Sequence, residues 1–384
     1  MKTNKTNKTN KTNRLETLIP LLLVMFIGGI LGTGIGYFSV KEEISTPAML
    51  FSYAFLAVAF VLHLMIHEAG HLIFGKMTGH QFLSYRIFSF NLIKRDNQFK
   101  LVRLKVPGTM GQCLLIPPVM KENHFPYKLY ILGGVIANIL TSLLSFAFYP
   151  MNKILVLEFV LVGFLFALLN GFPNGFNDGS TLKIAKSSLQ KERLLYIQLA
   201  SNAAMSLGST FSELPKEYFE SFEANEKRTY FEDYQDFLRL GLLLEKQEME
   251  EADEFIEILW ERRESFIVPY QIELKKEMLY HLLVNKKKDP QKVDSRIQPL
   301  MEDRGLVKYL QTKTVSNLRV LAGIQFGYEK NDEKSLNTIK EGLKMKEKSG
   351  NLGEFYVEEK LLLSLEEKIK LKQARQEQKK KKSN

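Results

Sequence analysis

His67-Glu68-Ala69-Gly70-His71 places two histidines four residues apart with a glutamate directly after the first. On a helix, positions four apart share one face, so both imidazoles can reach a single zinc ion. Zinc brings the pKa of a water that it holds towards about 7, and Glu68, one position round the helix, can accept that water's proton. The chemistry implied is attack of an activated water on a carbonyl. The surrounding run, HLMIHEAGHLIFG, is otherwise apolar. A charged group at bilayer depth costs about 2.5–3.5 kcal/mol on insertion scales, so something must offset it. Glu68 precedes Lys76 by eight residues, about 12 Å along a helix from that polar boundary. A metal facing a water-filled cavity supplies the offset. An interhelical hydrogen-bond cluster is the plainer alternative.

A catalytic zinc takes three protein ligands and keeps one position open. The other histidines are His63, His80, His124 and His281. His281 falls in the polar second half, and His80 and His124 fall in a basic loop. His63 sits one turn before His67, too deep along the same face to be preferred as third ligand, and suits a supporting group behind one. The stronger candidate lies in NGFPNGFNDGS, residues 170 to 180. Pro173, Gly171, Gly175 and Gly179 must interrupt a helix there, and broken backbone at membrane depth is tolerated only in protein or around a cavity. Asp178 stands at that break.

These groups must be positioned by spans. Four apolar segments, about 18–40, 48–75, 127–149 and 154–172, approach the roughly 20 residues needed to cross a bilayer as helix. Gly28, Gly32 and Gly36 recur every four residues in the first, which suits close helix packing. Lys2, Lys5, Lys8, Lys11 and Arg14 precede it with no acid among them, so the N-terminus is expected in the cytoplasm. The loop between the second and third spans carries eight basic residues, among them Arg86, Lys94, Arg95 and Arg103, against Asp96 and Glu122. That loop and everything after span four are then cytoplasmic, which puts Asp178 on the same side as His67 and His71. Both termini are expected inside, in a multi-pass protein of a bacterial cell membrane.

Residues 82–118 read as a small membrane-adjacent β-hairpin or sheet. FLSYRIFSF and QFKLVRLKV are rich in β-branched and aromatic residues around a polar Asp96-Asn97 turn, and Pro107, Gly108 and Gly111 punctuate before CLLIPP. The expected fold class is therefore mainly α, with four membrane helices, this β segment and a following all-α soluble domain. The boundaries read as a disordered basic tail over 1–17, a membrane core over 18–182, a helical domain over 190–370 and a basic tail over 371–384. Apolar stripes such as Phe231, Tyr234 and Leu238, or Met249, Ala252, Ile256 and Leu259, mark core faces of the helical domain. Their arrangement is loosely like a helical-hairpin array without a strict repeat.

The 384 residues carry 53 Lys+Arg against 43 Asp+Glu, a formal charge of +10. No nucleic-acid motif accompanies that excess; it sits in lysine-rich segments beside the spans, and the run Lys379 to Lys382 suits contact with anionic lipid. The single cysteine, Cys113, excludes an intrachain disulfide framework.

Taken together, these motifs resemble the site-2 protease family of intramembrane zinc metalloproteases. That family joins H-E-x-x-H on one transmembrane helix to N-x-x-P-x-x-x-x-D-G on a later one, matched here by His67, Glu68 and His71, then Asn170, Pro173, Asp178 and Gly179. The resemblance covers about residues 48–182 and implies Zn2+ held by His67, His71 and Asp178, with Glu68 as general base and later proton donor. A G-x-x-x-N stretch is matched by Gly134 and Asn138, so that Asn138 and Asn170 would by analogy steady the substrate backbone or the oxyanion. Gly133 and Gly134 have an equally good packing explanation. Asn177 stands where the family has leucine, and Ser180 replaces its second glycine.

The expected activity is hydrolysis of a peptide bond in a membrane-anchored protein or peptide near the cytoplasmic face. The partners are that substrate, the lipid bilayer and a cytoplasmic protein bound by the helical domain. An extended substrate is expected to add as a strand to the hairpin around residues 82–106. The rival reading is a non-catalytic membrane scaffold or transport component that works through its helical domain.

Overall fold

The computed structural model describes residues 45–95, 98–104, 109–220, 228–285 and 295–383, together with isolated positions between 29 and 41. The tail over 1–17 and the Asp96-Asn97 turn lie outside the described residues, and the first expected span lies largely outside them. Among the described residues, three helices are long and apolar enough to cross a membrane: Thr46–Met77, Tyr127–Phe148 with its final 3-10 turn, and Lys153–Gly171. They correspond to the second, third and fourth expected spans. The helical elements are α1 (Thr46–Met77), α2 (Tyr127–Ser145), α3 (Lys153–Gly171), α4 (Asp178–Ala185) and α5 (Leu189–Leu207). At 32 residues α1 is about 48 Å long, more than the roughly 30 Å of a hydrocarbon core. Large apolar side chains stand outward on these helices: Phe51 is 62% exposed, Ile73 56% and Leu144 70%. Lipid accepts such a surface where water would penalise it.

The chain divides into two compact units. The first comprises the residues up to His63 and Ile139–Leu165. Inside it the Ser52 hydroxyl donates to the Glu158 carboxylate. His63 is fully buried, its Nε2 2.9 Å from the Phe159 carbonyl and its ring 4.1 Å from that of Phe159. Gly163 leaves room for this packing, since a Cβ there would press on Ser142 and His63.

The second unit, Leu64–Asn138 and Phe166–Asn384, holds everything else. Its sheet is formed by β1 (Gln81–Ile87), β2 (Phe90–Arg95), β3 (Gln98–Arg103) and β4 (Gly111–Ile116), in the order β3-β2-β1-β4, antiparallel throughout. FLSYRIFSF is not one strand. The chain reverses at Phe88 and Ser89, where Phe88 takes φ +53°, and Ile87 pairs with Phe90. Cys113 and Leu115 of β4 pack with Tyr127, Tyr130 and Ile131 of α2 and with Leu194 and Leu195 of α5.

The helical domain continues through α6 (Tyr230–Lys246), α7 (Met249–Glu261), α8 (Val268–Tyr280), α9 (Ile297–Glu302), α10 (Arg304–Leu310), α11 (Val315–Gly327), α12 (Asp332–Leu343) and α13 (Leu352–Ser383). Of the expected core stripes, Phe231, Leu238, Ala252, Ile256 and Leu259 are each at most 3% exposed, and Tyr234 and Met249 are half-buried. The lysine-rich tail is drawn into α13, which runs to Ser383. Lys, Gln and Glu are good helix formers, so no core is needed to carry the helix that far.

Candidate metal centre

Helix α1 brings His67 and His71 to one face, and α4 delivers Asp178 to the same point. The His67 Nε2 lies 3.1 Å from Asp178 Oδ2, the His71 Nε2 3.4 Å from it, and the two imidazole nitrogens 3.2 Å from each other. Tetrahedral zinc, with ligands at about 2.0–2.1 Å, spaces them by about 3.3 Å. The three residues are 5%, 8% and about one-fifth exposed (the last for the aspartate side chain). Asp178 Oδ2 has no hydrogen-bond partner despite the two nearby nitrogens. Three acceptor atoms converging in a buried place, one of them an unsatisfied carboxylate oxygen, fit a divalent cation. The group could hold a metal ion.

The outer nitrogens of both rings are engaged, which fixes how the inner ones point. His71 Nδ1 lies 2.9 Å from the Tyr130 carbonyl; a carbonyl can only accept, so the proton is on Nδ1 and the Nε2 lone pair is free for metal. His67 Nδ1 lies 3.2 Å from the amide of Asn138, a side chain with no exposure. The atom nearest to it is the amide nitrogen Nδ2; for His67 to bind a metal through Nε2, the amide would turn so that its oxygen accepts from Nδ1–H.

Close backbone approach makes this geometry reachable. Gly70 and Gly133 face each other so tightly that a Cβ on Gly133 would lie 2.8 Å from the Gly70 carbonyl carbon and 3.0 Å from the His71 Cα. A Cβ on Gly134 would lie 2.6 Å from His67 Nδ1. Packing and function are therefore one explanation here: the two glycines of α2 are small because the ligand-bearing turn of α1 lies on them.

Asp178 is set by the way the chain restarts after α3. The Asn177 side chain accepts from Ser180 N at 2.9 Å as the N-cap of α4. Its amide also donates to the Leu169 carbonyl at 2.7 Å and the Phe172 carbonyl at 2.8 Å. One residue thus ties the end of α3 to the start of α4, satisfying groups at both helix ends. Burial would raise the Asp178 carboxyl, yet His71 and His67 outweigh it and hold the group well below the usual carboxylate range. The helical domain supports the same turn: the Tyr230 hydroxyl lies 2.6 Å from Thr181 Oγ1, and its ring meets Phe176 edge-on at 4.9 Å.

Glu68 is 7% exposed and its carboxylate lies over β4. A Cβ on Gly111 would come 2.8 Å from Glu68 Cγ and Cδ, so glycine is what lets the strand pass. Arg86, 1% exposed, holds that stretch in place, donating to the carbonyls of Phe88 at 2.8 Å, Thr109 at 3.3 Å and Gly111 at 3.3 Å. Neither Arg86, Tyr130 nor Tyr230 was singled out for the site from sequence. Arg86 looked like one of eight charges in a cytoplasmic loop, and Tyr130 acts through its backbone, which leaves no trace in residue type.

The structure does not bring every sequence candidate to this point. Asn170 donates from Nδ2 to the Phe166 carbonyl at 2.9 Å, within its own helix. His63 belongs to the first compact unit, against Phe159. His80 is 3% exposed and stacks on Tyr130 at 4.7 Å, behind the residue whose carbonyl holds His71; burial lowers its pKa to about 4. No protein-family model, curated protein or solved structure matches the chain.

Proposed function

We propose that this chain is an intramembrane zinc endopeptidase that cleaves a membrane-anchored peptide or protein near the cytoplasmic face. The observation that carries the reading is the convergence of His67, His71 and Asp178 to mutual distances of 3.1–3.4 Å with Glu68 one position along α1. The motif resemblance to site-2 proteases supports the same assignment, and the charge pattern of the loops supports cytoplasmic termini in a bacterial cell membrane.

His67, His71 and Asp178 would hold the zinc, which when bound supplies a Lewis acid for the scissile carbonyl and lowers the pKa of water. Glu68 does the proton work: its carboxylate accepts the proton of the attacking water and returns it to the leaving amide nitrogen. Tyr130, through its carbonyl, and Asn138 keep the two imidazoles in the ligand tautomer. By the same resemblance Asn138 and Asn170 are candidates for steadying substrate; the contact of Asn138 with His67 favours positioning of the ligand. An extended substrate would pair with a sheet edge. Of the two edges, β3 and β4, β4 starts at Gly111 against Glu68, which favours it.

The test is zinc content beside cleavage. Purified wild-type protein and Glu68→Gln should both carry about one zinc per chain, the number that one three-ligand site holds. The variant should lose cleavage of membrane peptides by at least about a hundredfold, as expected on removal of a general base. Metal-free wild-type protein prepared without chelator would overturn the proposal and favour the scaffold reading.

A further inference from the structure

A cleft of about 1100 Å³ lies between the sheet and the helical domain, entirely within the second unit. It is larger than the usual few hundred to 1000 Å³ of a small-molecule pocket. Its lining carries six basic side chains and one acidic, Glu354. Three of the basic groups are engaged: Arg95 donates to the Ser349 carbonyl at 2.6 Å, Lys313 pairs with Glu341 at 2.8 Å, and the Arg103 guanidinium lies 4.4 Å over the Phe90 ring. Lys94, Lys308 and Lys348 have no ion-pair partner among the described residues. Glu354 opposes them weakly, because burial raises its pKa to about 7.

The wall is not a bare basic surface. Asn91 of β2 lines the cleft, is only 3% exposed, and its Oδ1 has no hydrogen-bond partner. An unsatisfied buried acceptor costs about 1–3 kcal/mol unless something donates to it. Inorganic polyanions offer mainly acceptors. A peptide offers both backbone N–H groups for Asn91 and, if acidic, carboxylates for the lysines. Gln112 and Leu114 of β4 also line the cleft, one and three residues from the Gly111 that touches Glu68.

We infer that this cleft binds an acidic peptide segment. On the endopeptidase reading, on which this inference rests, that segment is the cytoplasmic part of the substrate, held beside the strand that leads to Glu68. Lysine pairing sets the charge preference, and the Asn91 amide takes a backbone N–H.

The experiment uses the full chain carrying Glu68→Gln in detergent micelles. A fluorescently labelled decapeptide rich in Asp and Glu is titrated by anisotropy, beside a Lys-rich decapeptide and ATP. The acidic peptide should bind and the basic one should not. Combined Lys94→Glu, Lys308→Glu and Lys348→Glu should weaken binding by at least about tenfold, as charge reversal across an interface does. Asn91→Leu should weaken it with the charges intact, and neutralising Lys379 to Lys382 should leave it unchanged. Equal binding of both peptides, no effect of the triple reversal, or binding of ATP without the peptide would each overturn the inference. The assay reads neither zinc nor cleavage. An active zinc enzyme that binds no acidic peptide removes the cleft proposal alone, and a metal-free chain that binds it removes only the endopeptidase reading.

Discussion

Two buried charge clusters in the second unit look alike in composition and differ in what they need. In the helical domain, Arg319 is fully buried and donates to Glu358 and Glu277 at 2.6 Å, with its guanidinium 4.3 Å from the Tyr280 ring. Lys276, 1% exposed, donates to Ser316 and pairs with Glu273. Cations and anions there pair with one another, although Arg319 Nη1 is left without a hydrogen-bond partner. At the candidate metal centre, two imidazole nitrogens and a carboxylate oxygen, each an atom able to ligate a metal, converge on one point. The first cluster pairs the protein's own cations with its anions; the second is a group that could hold a metal ion. Burial of charge marks neither as functional. The balance of donors and acceptors does.

That contrast can be broken in opposite ways. The largest effect should come from Arg319→Ala, which strands the Glu277 and Glu358 carboxylates. Breaking a buried pair costs about 3–5 kcal/mol, so denaturant unfolding should shift strongly while zinc per folded chain stays near one. Asp178→Asn should do the reverse, removing zinc with a much smaller change in stability. If Arg319→Ala lost zinc from chains that remain folded, the two clusters would not be separate.

A smaller effect sharpens the comparison at the junction of α3 and α4. Asn177→Leu removes three hydrogen bonds. Loss of the cap should cost about 1 kcal/mol, and misplacing Asp178 should weaken zinc binding by about 10–100-fold. Unchanged zinc affinity in a competition titration would show that Asp178 is placed without Asn177.

The smallest effect concerns pH. His80 is held at about 4 when folded against 6.5 as the free group. The folded chain therefore binds fewer protons between those values, and stability is complete above about pH 6.5 and lost as pH falls towards 4. Thermal midpoints measured at pH 7.5 and pH 5 should differ less in His80→Gln than in the wild type. An equal difference in both would assign the acid sensitivity elsewhere.

How much of this was legible beforehand differs by residue. His67, Glu68 and His71 declare themselves because a five-residue spacing on one helix fixes their common face. Asp178 was legible through the glycines and proline that break a helix around it. The stripes of α6, α7 and α8 were legible for the same reason: helical period turns a linear pattern into a surface. Phe88 and Ser89 were not, since Phe88 is not a usual turn residue and the apolar run around the single serine concealed the reversal between β1 and β2.

The sequence alone determined the local terms: which segments are apolar enough for lipid, which residues can ligate zinc, and which face of each helix they occupy. Only the tertiary structure decided that Asn138 meets His67, that Tyr130 accepts from His71, that Arg86 holds Gly111 under Glu68, and that His63 turns to Phe159 instead. Each of these joins segments separated by tens of residues through a backbone group, a missing Cβ or a single amide. Such contacts depend on how elements pack, and packing leaves no period or composition along the chain from which they could be read.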